Sequence, residues 1–509
     1  MKKVLIGILV ASLMAALFGC RQPNVDTSLT DGSSAYEFKI FGVFASPTIT
    51  DVDSAFVKMM EEANGIKVNL EIPPTTNYSE RLQIMLAGGD YPEVIQFVDV
   101  TNKAYIDAVQ NGIIIPITDY LKTAENLNKY SYDISWDTLK TKDDSDIYAI
   151  PRTSIMRADG YVVREDWLDN VGLTLPENGE VTLDEFTEIL KRFTLNDPDS
   201  DGKNNTYGFG CNQSSLGGID PIAINVFGIN GWQEDDGEFS YMHKKFDKND
   251  NSFKNALEYM SSIYEKGFID PDSATITRKV AQDRFMQGIT GVLPAFAGNI
   301  DPVFAPTMKK INPNVKLTYI TGIKDAKGKV QSAVSGTGIW GAYAITKSAK
   351  NPQKIVDSFD WMLSDEGWDA VKYGVKDVTY HEEDGKKIFN KKFEQHIIAR
   401  DFVRRNNDSD FFITDRLVDD VARTTQVSAW VDQCIKNAIP SMDRGYITKA
   451  SQKPEFIDYQ VTMSEVITKI ILGSLPVSAY DKAIDGWYKA GGLELVEEMN
   501  EYIKKVEGK

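Results

Sequence analysis

Residues 36–74 read YEFKIFGVFASPTITDVDSAFVKMMEEANGIKVNLEIPP, and this stretch decides the fold class. YEFKIFGVF alternates apolar and polar side chains with a period of two, as a strand with one buried face does. From Asp51 the period changes. Val52, Phe56, Met59 and Met60 fall on one helical face, behind an acidic first turn and ahead of a stop at Gly65. IKVNLEIPP is strand-like again, NYSERLQIMLAGGDYP (77–92) reads as a second helix closed by glycines and a proline, and PEVIQFVDV as a third strand. Alternating strands and helices predict an α/β architecture with a parallel, doubly wound sheet. Ligands of such sheets sit beyond the carboxyl ends of the strands, which makes Ser46, just after the first strand, a candidate contact.

Upstream, residues 1–20 read MKKVLIGILVASLMAALFGC: a basic start, an apolar run and a small residue before Cys20. This is a secretory signal, too short and wrongly flanked for a spanning helix. The ending LFGC resembles a bacterial lipobox, which implies cleavage after residue 19 and lipidation of Cys20. Residues 20–35, polar and rich in turn formers, form a flexible tether.

The 509 residues suggest more than one domain. Their formal charge is −18, and losing residues 1–19 leaves 54 basic residues against 74 acidic ones, a charge of −20. No excess of Lys and Arg exists to neutralise phosphates, so nucleic acid is not an expected partner, and membrane contact is expected through the lipid anchor alone. Cys211 and Cys434, the two cysteines left in the mature chain, make no disulfide framework and are read as buried free thiols.

Farther along, VTLDEFTEILKRF opens with a capping box, Thr182 to Glu185, and is helical. NSFKNALEYMSSIYEKG is a helix ending at Gly267, and RKVAQDRFMQGIT leads into the strand GVLPAF. SAKNPQKIVDSFDWMLSDEGWDAVKYG reads as one helix, with Ile355, Val356, Phe359, Met362 and Leu363 on one face, and the carboxyl end is helical.

Catalytic signatures are scarce. The three histidines lack metal-ligand spacing, and neither a GxSxG elbow nor a GxxxxGK[ST] loop is present. GTGIWG (336–341) matches GxGxxG, but a strand-like AYAIT follows where a dinucleotide site needs a helix. Paired carboxylates are too common in so acidic a chain to exclude glycoside hydrolysis by spacing.

One loop carries metal chemistry. In NDPDSDGKNNTYG (196–208), Asp197, Asp199 and Asp201 occupy the first, third and fifth positions of a calcium loop, Lys203 offers its carbonyl at the seventh and Asn205 stands at the ninth. Three carboxylates within five residues repel one another unless a divalent ion sits among them. The twelfth position is Gly208 rather than the Glu of an EF-hand, and TYGFG looks extended, so no second helix exists to swing open. The expected cofactor is a structural calcium ion that staples the loop.

In this order the pieces resemble the extracellular solute-binding lipoproteins of ABC importers (family 1), and within them the large oligosaccharide-binding group that includes alginate-binding proteins and LipO-like lipoproteins. LAGGDYPEVI, DIYAIP followed by YVVREDWLDNVGLTLP, EKGFIDPDSA, and ILGSLPVSAYDKAIDGWYKAGGLELVEEMNE look like family segments. The calcium loop matches almost residue for residue, although the family often carries Asp at the place of Asn205 and an acid at that of Thr206. The resemblance implies a two-lobed periplasmic-binding-protein-like fold of type II with the ligand cleft between the lobes. It implies closure on an oligosaccharide and delivery to ABC permease subunits, by a monomer held on the outer face of the cell membrane, with no chemistry on the ligand; the acidic balance of the chain leans away from a polyanion, so a neutral or mildly acidic oligosaccharide is expected. Crossovers are expected near residues 150, 335 and 400, so residues 36–150 plus 336–400 make lobe 1 and 151–335 plus 401–509 make lobe 2. A secreted enzyme acting on polysaccharides, and a sensor lipoprotein binding sugar or peptide without a transporter, are the competing functions.

Saccharides need flat aromatic surfaces and planar polar groups. Near the crossovers, Tyr148, Arg152, Phe296, Asn299 and Trp340 qualify alongside Ser46. Trp232, in the Gly-rich loop FGINGWQEDDG, is placed at the cleft, with packing as the competing reading. Trp136, Trp361, Trp368 and Trp487 are read as core.

Overall fold

A computed structural model describes residues 35–140, 146–212, 222–223, 226–334, 337–408 and 421–508; Cys20, the leader and nearly all of the tether lie outside the described residues. The opening stretch folds as its periodicity predicts. Tyr36–Phe41 is a strand, Asp51–Asn64 a helix with a capping box between Thr50 and Asp53, and Ile66–Glu71 a strand. The helix ends at Gly65, whose φ of 61° is the left-handed conformation that suits glycine.

Five strands form the first sheet, in the order Ile66–Glu71, Tyr36–Phe41, Val94–Phe97, Ile339–Ile345, Ile150–Thr153. The first three are parallel, as the βαβ pattern requires. Ile339–Ile345 inserts antiparallel between Val94–Phe97 and Ile150–Thr153, so the sheet is mixed rather than purely parallel. Its fully buried core runs from Phe38 to Ile150 and resumes from Ala342 to Val403.

The second sheet is ordered Leu317–Ile320, Tyr161–Arg164, Thr290–Pro294, Tyr207–Phe209. Side chains alternate across a strand, and here that alternation divides two cores. Tyr161 and Val163 enter one with Trp167, Phe186 and the carboxyl-terminal helices, while Val162 enters another with Phe285, Tyr319 and Trp430. The architecture is a mixed α/β fold of two lobes, each built on one sheet.

Two expectations need correction. The long helix proposed for residues 348–374 is two helices, Pro352–Met362 and Asp365–Tyr373. Ser364 caps the second by accepting from Gly367 N, and Gly367 lies so close to the Trp361 carbonyl that a Cβ there would overlap it. The boundary expected at 400/401 falls too early. Phe402 and Val403 belong to the first core, and Asp408 accepts from Trp368 Nε1 and Lys372 Nζ of the same lobe.

Trp136, Trp368 and Trp487 are buried in cores and Trp361 packs against one. Cys211 and Cys434 are free and buried, and burial pushes their thiols up to about 11 and about 12. Among the described residues no helix is long and apolar enough to cross a membrane.

Candidate functional site

Four segments of the first lobe converge where the chain leaves its sheet. Ile150–Thr153 carries Arg152, the edge of Ile339–Ile345 carries Trp340, the loop after Tyr36–Phe41 brings Ala45, and residues 400–404 bring Asp401 and Arg404. Packing of Phe44 against Phe402, with centroids 5.1 Å apart, joins the last two.

Asp401 organises the group. One carboxylate oxygen accepts from Arg152 Nη2 at 2.5 Å, and the other from the Ala45 backbone N–H at 2.5 Å. The Tyr343 hydroxyl donates to its main-chain carbonyl at 2.6 Å. Arg404 lies 4.0 Å from the same carboxylate and donates through Nε to the Arg400 carbonyl. Both guanidiniums lie over the Trp340 ring, Arg404 at 4.9 Å from its centroid and Arg152 at 5.9 Å. The cations are buried, with side chains 8% and 14% exposed, while Trp340 is 46% exposed. Solvent meets an indole with positive charge beneath it.

Gly341 of GTGIWG serves this placement. Gly341, at φ 83°, takes the strand so close to the Phe97 carbonyl that a side chain would collide with it, and the pairing of Ile339–Ile345 with Ile150–Thr153 shifts register there. The backbone approach that a phosphate loop would use is taken up by a neighbouring strand, at Phe97 and Val98, and Trp340 just before it is exposed.

Across the first crossing a second aromatic carries an arginine. Arg157 covers Phe296 at 3.7 Å and donates to Asp159 at 2.9 Å. Arg157 lies five positions after Arg152, no more than about 18 Å of chain. Ser154 N donates to Gly338 O at 2.7 Å, so the first two crossings run side by side.

The other candidates fall elsewhere. Ser46 is partly buried and turns its hydroxyl onto the Thr48 carbonyl at 2.7 Å. Tyr148 is partly buried against the first core, and Asn299 partly buried in a short turn after Phe296. Trp232 is a correction: it is 5% exposed and sits in the core of the second lobe. Its strand, Trp232–Glu234, pairs with Tyr241–His243, and its N–H donates to Ser441 Oγ. The neighbouring Gly231 permits that contact, since a Cβ there would lie 2.4 Å from the same oxygen. Asp401, Arg404 and Arg157 were missed. The run RDFVRR (400–405), basic in an acidic chain, was the available signal.

The acidic loop stands apart. Helix Leu183–Leu195 delivers it and strand Tyr207–Phe209 receives it, with no second helix. Asp197, Asp199 and Asp201 each bring a carboxylate oxygen within 4.8 Å of the others. Asp197, at φ 45°, accepts from the N–H groups of Asp201 and Gly202. Lys203 Nζ and Asn205 Nδ2 both donate to Asp201 at 3.2 Å. Burial first, then the charge of Asp201, pushes the Asp199 carboxyl up.

Residues 46–367 match the family model of bacterial extracellular solute-binding proteins. This chain belongs to that family. Among its relatives is the polygalacturonan/rhamnogalacturonan-binding protein YtcQ of Bacillus subtilis, 25% identical, with 99% of each chain covered. Among solved structures, the alginate-binding protein AlgQ2 without calcium ion superposes with a TM-score of 0.65 at 20% identity, over 93% of this chain and 99% of that one. An HMO-binding, ABC-transporter-associated solute-binding protein of Bifidobacterium longum infantis gives 0.65 at 14% identity, over 93% and 99%. At these identities the structures speak for the two-lobed fold of the family.

Proposed function

We propose that this chain is a lipid-anchored extracellular receptor that captures an oligosaccharide between its lobes and hands it to the permease of an ABC importer. It acts as a monomer anchored through Cys20 and does no chemistry on the ligand. The described residues of 36–153 and 337–408 form one lobe, and those of 161–334 and 421–508 the other.

The observation that carries this reading is Trp340, half exposed at the junction of the lobes and ringed by Arg152 and Arg404. A flat aromatic face beside planar donors is what a saccharide's C–H surface and hydroxyls require. Arg157 with Phe296 offers a second platform beyond the first crossing. The names of the relatives agree on saccharides without agreeing on one.

Asp197, Asp199 and Asp201, with the Lys203 carbonyl and Asn205, would hold a structural calcium ion. Three converging carboxylates fit a hard cation, and the contacts of Lys203 and Asn205 to Asp201 partly offset the repulsion between them. The AlgQ2 structure described as without calcium ion supports calcium binding in such relatives. At a calcium concentration about 100-fold above its Kd, the ion adds about 2.7 kcal/mol of stability. A chelator should therefore lower the melting temperature by several degrees without abolishing folding; an unchanged melting curve removes the ion.

The functional reading is tested by calorimetric titration of the protein with a panel of oligosaccharides, followed by mass spectrometry of each mixture. Saturable binding with the saccharide recovered intact is expected. Cleaved saccharide would make the protein an enzyme.

A further inference from the structure

Where the chain passes between the lobes, one short helix touches each crossing. Asp133–Thr138 belongs to the first lobe, with Trp136 in its core. Just before it, the Tyr132 hydroxyl accepts from Met156 N of the first crossing at 3.4 Å and donates to Asn406 O, at the entry to the third, at 3.0 Å. The Tyr132 ring fills the space that a Cβ at Gly338 of the second crossing would need, and Ser135 Oγ donates to Thr337 O at 3.0 Å. A turn of the second lobe meets the far end of this helix. Met442 and Tyr446 pack on the second lobe's core, and between them Arg444 and Gly445 both take left-handed backbone, at φ 45° and 73°. Gly445 fits closely against Thr337, where a Cβ would lie 2.4 Å from Cγ2. Glycine is at ease in that conformation and arginine is not, and an outlier of this kind points to a task for the side chain. Arg444 Nη1 reaches Asp137 Oδ2 of the first lobe at 3.2 Å, and its Nη2 reaches Glu507 Oε1, in the last helix of the second, at 3.2 Å. Lys140 Nζ holds the other Asp137 oxygen at 2.8 Å.

Resting on the reading of this chain as a receptor that closes on a saccharide, we infer that the Asp137–Arg444 bridge is a latch: it holds the lobes in the orientation described, with Trp340 46% exposed, and it opens when they close. Glu507 keeps the guanidinium on the second lobe and Asp137 joins it to the first, so turning one lobe against the other strains the Asp137 arm. The side chains of Asp137, Arg444 and Glu507 are 27%, 31% and 32% exposed, so water replaces a lost partner at small cost. A contact made only before closure subtracts its strength from the affinity for whatever drives closure. Arg444 is therefore a positioning residue. It sets how tightly the saccharide is held without touching it.

The test is titration calorimetry of the unaltered protein, Arg444→Met, Asp137→Asn and the double variant with a panel of oligosaccharides that includes oligogalacturonides and alginate oligosaccharides, alongside thermal melting. Each single variant should bind its saccharide about two- to fivefold more tightly than the unaltered protein. The double variant should gain no more than either single one, because one bridge is lost in all three. Melting should change little; a residue that merely packs would lower stability without raising affinity. If Arg444→Met does not fold, Asp137→Asn decides. Small-angle scattering of the ligand-free variants should give a radius of gyration no larger than that of the unaltered protein, and an increase would mean that the bridge holds the lobes together, which overturns the latch. Unchanged or weaker affinity, or additive gains in the double variant, also overturns it and leaves saccharide capture standing. No binding of any saccharide by the unaltered protein overturns the functional reading, and this inference with it.

Discussion

Trp232 and Trp340 sit in similar sequence, each next to a glycine in a turn-rich stretch, and they end in opposite places. Gly231 lets the backbone before Trp232 press against Ser441, and the indole drops into the second lobe. Gly341 lets the backbone after Trp340 press against Phe97, and the indole is turned out. Their charged neighbours differ in the same way. His243, across the strand pair from Trp232, stays neutral, because burial and then Lys245 push it down to about 3 and its Nδ1 accepts the Lys245 N–H. Arg404 beside Trp340 is buried and stays charged. A glycine thus marks a close backbone approach and says nothing about which way the next side chain faces; the groups around the ring tell the two tryptophans apart.

The contrast can be broken at four points. Trp232→Ala should cost about 3–5 kcal/mol of stability, as large-to-small core substitutions do, with Trp232→Phe costing less. Chemical denaturation reads the loss, and a variant of unaltered stability but weakened saccharide affinity would return Trp232 to the binding site. Trp340→Ala should do the reverse, weakening saccharide binding by about 2 kcal/mol, roughly thirtyfold, while melting changes little. A large fall in melting temperature there would reduce Trp340 to a packing residue.

The third point is acid. His243 titrates near 6.5 when unfolded and about 3 when folded, so the unfolded chain binds the extra proton and stability falls as pH drops through 6.5. By pH 5.5 the loss from this group is about 1.4 kcal/mol. His243→Gln should flatten that part of the stability–pH curve; an unchanged slope between pH 7 and 5 would show that the ring is not kept neutral by the fold. The smallest effect is expected at Ser46, whose hydroxyl already serves its own turn. Ser46→Ala should shift saccharide affinity by less than about twofold, and a tenfold loss would bring that loop into the site.

What the sequence showed follows the range of the interactions. The strand–helix–strand opening, the capping box at Thr182 and the acidic loop at Asp197–Asp201 are local, set by residues a few positions apart, and they are legible. The antiparallel insertion of Ile339–Ile345 hinges on pairing with residues more than 180 positions away, and no periodicity announces it. Arg152 and Trp340 could be proposed from their nearness to crossings. Asp401, 249 residues from Arg152, could not be joined to it. Trp232 was misread because Gly-rich sequence suits both an open loop and a tightly docked turn.

The insertion of Ile339–Ile345 between Val94–Phe97 and Ile150–Thr153 also fixes an order of assembly. A chain emerging amino end first cannot close its first core until residue 403 is out, by which time all four strands of the second sheet have emerged. The larger core of the second lobe must in turn wait for helices reaching Ile503. The first core can therefore close before the helices that complete the second have emerged, and the loops to be closed are long, which slows folding. The two halves are thus completed in turn, the amino-terminal one first, and the last helix decides when the second is whole.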